Sequence, residues 1–120
     1  MVENLRMLVR FKRWANKRTF SVVMDLPPNE ALKDRPTYFK NIVHTLNHIY
    51  VIDAIFRAHL EDRKHGYTAR NTDTHPPLEE LWQLVQAMDD WYVNYCDRLT
   101  AQTLEEVVHF RFVDGGGKER

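Results

Sequence analysis

NIVHTLNHIYVIDAIFRAHL, residues 41–60, is the stretch on which the fold turns. It contains neither glycine nor proline, and its apolar residues recur at steps of three and four, so it reads as a helix. Ile42, Leu46, Ile49, Phe56 and Leu60 form one stripe. Phe39, Val43, Tyr50, Ile52 and Ile55 widen the apolar surface beyond what a single neighbour covers, which predicts a central helix packed against at least two others. On either side the pattern meets no breaker from Pro36, a residue suited to the first helical turn, to about Lys64, a span of about 40 Å at the helical rise per residue.

Upstream, helical spacing of Met7, Phe11, Trp14, Ala15 and Val22 predicts a first helix from about Val2 to Asp25, stopped by Pro27-Pro28. Its other face is basic, with Arg6, Arg10, Lys12, Arg13, Lys17 and Arg18, and reads as solvated or paired with acids. Downstream, the Gly-, Thr-, Asn- and Pro-bearing segment 65–77 reads as a loop. A third helix starts near Pro76-Pro77 with Glu79 and Glu80 in its first turn and a stripe through Leu81, Val85, Met88, Tyr92, Tyr95 and Leu99. After Thr103 the period shortens. Val108, Phe110 and Phe112 alternate with His109 and Arg111 as in a β-strand, and Asp114-Gly115-Gly116-Gly117 reads as a hairpin turn with little left to form the returning strand. The expectation is an all-α, up-down helical bundle of the four-helix type, in which residues 1–120 form one C-terminally incomplete domain supplying three helices and a strand remnant.

The 120 residues suit one domain of the usual ~100–150 residues, and 43% apolar with 28% charged residues is a globular balance. Net charge is zero, which leaves no electrostatic case for nucleic acid or an anionic membrane. Residues 1–60 carry 10 basic and 5 acidic side chains, residues 61–120 carry 7 and 12, and the simplest reading is that the two halves pack together. Cys96 is the only cysteine, so no intrachain disulfide forms, and its aromatic neighbourhood suggests a buried, inert thiol. With no signal-peptide-like start and no apolar run of the ~20 residues that span a bilayer, a cytoplasmic location is expected.

Histidines concentrate the chemical signal. His44 and His48 are four apart and share a helix face with Asn41, Ile52, Ile55 and His59. Such a pair chelates a divalent ion when further ligands are present. Alternatively, each is a partly buried imidazole satisfied by a hydroxyl or carboxylate, for example Tyr92 or Tyr95. There is no Gly-rich phosphate loop, G-x-S-x-G or Cys pair. Asp53 is expected to pair with a basic residue of the first helix, such as Arg10 or Arg18, and Trp14, Trp82 and Trp91 to pack.

Phe11-Lys12-Arg13-Trp14-Ala15-Asn16-Lys17-Arg18, then Leu26-Pro27, then Thr45-Leu46-Asn47-His48-Ile49 with Asp53, resembles the DinB family of DinB/YfiT-like proteins, from the first helix to the Gly turn. The resemblance implies a damage-inducible, commonly homodimeric four-helix bundle holding a divalent metal, zinc or nickel, with three histidines. His48 matches the ligand of the Leu-Asn-His motif, and His44 is the weaker candidate. The other two ligands lie in a fourth-helix H-x-x-x-H motif to which no residue here corresponds, and no catalytic residue is assigned. By resemblance the activity is that of a metal-dependent, thiol-dependent transferase or a hydrolase acting on a small molecule or thiol. The rival expectation is a non-catalytic helical module that dimerises or binds a helix-completing partner chain.

Overall fold

A computed structural model describes residues 1–27, 29–34, 41–64, 66–67, 72 and 74–103. It is a helical bundle of α1 (Val2–Met24), α2 (Ile42–Leu60) and α3 (Leu78–Asp97), with a 3-10 turn at Glu30–Leu32. The expected strand at Val108–Phe112 and the turn at Asp114–Gly117 lie outside the described residues. The second helix starts at Ile42 rather than near Pro36, because Asn41 before it is extended and caps it. Among the described residues no helix is long and apolar enough to cross a membrane.

Both ends of α2 have a local cause. Asn41 caps α2 by accepting the His44 backbone N–H on its side-chain oxygen at 2.7 Å. At the other end Asp62 adopts φ 54°, and the Arg63 and Asp62 N–H groups donate to the Ala58 and His59 carbonyls. This left-handed Schellman ending stops α2 at Leu60, short of Lys64. The α3 C-terminus has no basic residue in its own last turn, and Arg6 of α1 donates instead to the carbonyls of Cys96, Asp97 and Leu99 at 3.2–3.3 Å. Beyond it, Thr100 and Thr103 exchange side-chain and backbone hydrogen bonds and open another helical turn at 101–103.

Arg6 beside the end of α3 and Phe20 stacked on Trp82 near its start make α1 and α3 antiparallel, and this is the most extensive helix pairing. Asp53 of α2 meets Lys12 and Tyr92, while Val43 shares a core cluster with Phe20, Leu81 and Val85. Hence α2 and α3 run in the same direction, and the end of α2 and the start of α3 lie at opposite ends of the bundle.

Burial corrects two of the expected stripes. On α2 the buried residues are Val43, Asn47, Val51, Ile55 and Ala58, whereas Ile49 and Phe56 are exposed. Because α2 is apolar almost all round, periodicity could not choose its inner face, and Asn47 lies in the middle of that face. On α1 only Phe20 and Val23 are buried, and Met7, Phe11, Trp14 and Val22 are exposed. The reason is electrostatic. Arg10 forms a two-pronged ion pair with Asp97 at 2.9 and 2.6 Å, and Arg13 pairs with Asp90 at 3.1 Å, so the basic flank of α1 turns toward the acidic α3. On α3 the core positions Leu81, Val85 and Met88 are buried as expected.

Candidate functional site

The Leu-Asn-His segment sits in the first half of α2. Leu46 packs against the core cluster, and Asn47, 4% exposed, points its amide at Thr72, donating to Oγ1 at 3.0 Å. The Thr72 hydroxyl donates onward to the Thr74 carbonyl at 2.8 Å. One turn before His48, His44 Nε2 lies 2.8 Å from the Thr72 carbonyl. A carbonyl only accepts, so Nε2 carries the proton and donates. The His44 ring also lies 5.7 Å from that of His75, whose Nδ1 donates to the Pro76 carbonyl at 2.9 Å. Asn47 and His44 thus tie Thr72 to α2, and half-buried His48 stands beside this anchored point.

A second polar layer crosses the bundle. Lys12 Nζ pairs with Asp53 Oδ2 at 2.5 Å, Asn16 Nδ2 donates to Asp89 Oδ2 at 2.9 Å, and the Tyr92 hydroxyl donates to the Asp53 carbonyl at 2.6 Å. The expected partners differ. Asp53 takes Lys12 rather than Arg10, which binds Asp97, or Arg18, which lies 5.5 Å from the Trp14 ring. Tyr92 serves the α2 backbone rather than an imidazole. Asp89, 3% exposed, is absent from the sequence-based candidates, although its position four residues after Val85 and four before Val93 places it on the inner face of α3.

Burial pushes the carboxyls of Asp53 and Asp89 above the usual carboxylate range, against the pull of Lys12 on the first and the Asn16 hydrogen bond on the second. Burial also raises the Tyr92 hydroxyl and the Cys96 thiol, which keeps that buried cysteine in the poorly nucleophilic thiol form. Asp97, beside Arg10, is shifted downward.

A raised carboxyl binds its proton more tightly in the folded than in the unfolded chain. Its contribution to stability is therefore greatest below the unfolded value near 3.8 and is lost as pH rises through the folded value. Asp97 acts in the opposite sense, losing its contribution as pH falls. Asp89→Asn keeps an oxygen for Asn16 and removes the buried charge. The variant is expected to exceed the parent in stability at neutral pH, because it no longer buries a charge whose hydrogen-bond partner is a neutral amide. Urea midpoints should show this advantage shrinking toward pH 4, and a constant difference across that range would contradict the assignment.

Among the described residues no group of three His, Cys, Asp or Glu side chains is placed to hold a metal ion. The Nε2 of His44 is engaged by the Thr72 carbonyl.

The helical motif residues are thus placed on α1 and α2. Lys12 and Asn16 of α1 meet Asp53 and Asp89, and Asn47 fixes the segment bearing His48. The family model for the DinB family matches residues 1–117. The chain belongs to the DinB family. No curated protein and no solved structure matches it.

Proposed function

We propose that this DinB-family chain serves a metal-dependent enzyme of the thiol-dependent transferase or hydrolase type, in which His48 is the ligand that α2 contributes to a divalent ion, zinc or nickel. The supporting observation is the position of His48 directly after Asn47, whose hydrogen bond to Thr72 fixes that turn of the helix. Preorganisation of this kind favours metal binding, because the ligand's backbone is ordered beforehand. The remaining donors come from outside the described residues. When bound, such an ion supplies Lewis acidity and lowers the pKa of a coordinated thiol or water. Elemental analysis of the purified protein tests the reading. Stoichiometric metal in the parent and at least a tenfold loss of affinity in His48→Ala are expected. Undiminished metal in the variant would remove His48 from the site.

A second reading, a non-catalytic module that dimerises or binds another helix, draws on the outer face of α1. Met7, Phe11 and Val22 are 61, 61 and 65% exposed on the side opposite Phe20 and Val23. An apolar stripe of this kind commonly marks an interaction surface. Sedimentation should then give a dimer, with Phe11→Glu converting it to a monomer of unchanged helicity. A monomeric parent would exclude dimerisation through this face.

A further inference from the structure

The boundary between α1 and α3 opens into a cleft of about 440 Å³ whose lining includes none of the histidines. Trp14 and Trp82 provide its aromatic surfaces, and Lys17, Arg13, Asp89 and Asp90 are among its charged lining groups.

The charges in the cleft are unevenly compensated. Arg13 and Asp90 pair with each other, and Arg10, at the same boundary, pairs with Asp97. Asp89 is nearly inaccessible, and its hydrogen-bond partner among the described residues is the neutral amide of Asn16. Lys12, the cation closest to it electrostatically, is engaged by Asp53. A buried carboxylate satisfied by one neutral donor favours a further cationic donor. Lys17, in turn, has no acidic partner among the described residues. One acid and one cation, each without a charged partner among the described residues, therefore line the same cleft and do not pair with each other.

We propose that this cleft binds a small zwitterion, an amine and a carboxylate carried on an apolar or aromatic body, with Asp89 receiving the ammonium, Lys17 the carboxylate, and Trp14 and Trp82 the body. A ligand bearing only an anion meets Asp89 and Asp90, and one bearing only a cation meets Lys17 and Arg13, so each is disfavoured by an unmatched group. A zwitterion satisfies both ends. Trp82 is already held in place: it stacks on buried Phe20 with ring centres 4.8 Å apart, so little of its side-chain freedom remains to be lost on binding. Trp14, more exposed, lies 5.7 Å from Phe11. The proposal is independent of the metal reading, since it uses none of the histidines.

Three probes with one phenyl body separate the terms: L-phenylalanine, phenethylamine, which lacks the carboxylate, and 3-phenylpropionate, which lacks the amine. Indole N–H signals of the intact protein report on each tryptophan, and Trp91, stacked on Tyr95 away from the cleft, serves as the internal control. L-Phenylalanine should shift the Trp14 and Trp82 signals saturably and leave Trp91 unchanged, with the other two probes binding at least about tenfold more weakly. Lys17→Ala, a substitution at an exposed position, should reduce L-phenylalanine affinity to that of phenethylamine. Asp89→Asn should reduce it to that of 3-phenylpropionate. Equal affinity for the three probes, an equal response at Trp91, or no saturable shift at millimolar L-phenylalanine would overturn the proposal.

Discussion

Phe20→Ala is expected to destabilise the bundle by about 3–5 kcal/mol, the range for deleting a buried aromatic side chain. Phe20 is 2% exposed and shares one cluster with Val23, Ala31, Val43, Leu81 and Val85, so its ring joins residues from α1, α2, α3 and the 3-10 turn. Its stacking partner Trp82 would lose the surface against which it rests. Against a typical domain stability of ~5–15 kcal/mol, this is a large fraction of the total. Urea unfolding followed by circular dichroism should show a lower midpoint with an unchanged slope. A loss below about 1 kcal/mol would mean that the three helices do not close around this ring.

The second large effect is expected at the ion pair between α1 and α2. Lys12→Met keeps most of the aliphatic stem and removes the charge that faces Asp53, whose side chain is only 16% exposed. Breaking a fully buried pair costs ~3–5 kcal/mol, and because the Lys12 side chain is 39% exposed a loss of about 2 kcal/mol is expected here. Lys12→Met combined with Asp53→Leu should recover most of that loss, since no buried charge is then left unpaired. If the double variant were as unstable as the sum of the single ones, the two residues would not be coupled. The neutral amide of Asn16 cannot replace Lys12, because it is already engaged by Asp89.

Helix positions were legible because they depend on local signals. Pro27 marks the end of α1, the Pro76-Pro77 pair marks the start of α3, and the residue spacing within α3 gave its buried side directly. The ends of α2 were less so. The sequence from Pro36 to Lys64 contains no strong breaker, and the stop at Leu60 comes from Asp62 taking a left-handed conformation that aspartate tolerates but does not announce. The inner side of α1 departs from its hydropathy for a different reason. Hydropathy places Phe11 and Trp14 inside, whereas the acids of α3 draw Arg6, Arg10 and Arg13 to the helix boundary. Pairing between charges some ninety residues apart leaves no trace in a local window.

The candidate site divides in the same way. His48 and Asp53 stood out by spacing and by resemblance, but the partners of Asp53 and of Asn47 became evident only when three helices and Thr72 were assembled. Asp89 lay within a legible buried stripe, yet an aspartate on such a stripe has no visible reason until Asn16 is seen opposite it.

Turn residues, hydrophobic period and the Trp-Ala-Asn and Leu-Asn-His segments are all local features, and they suffice to establish a helical chain of the DinB family. The common direction of α2 and α3, the face of α1 that turns inward and the choice of ion-pair partners follow only from the assembled bundle. Those outcomes depend on interactions between distant segments, where burial and ion pairing outweigh the preference of any one helix.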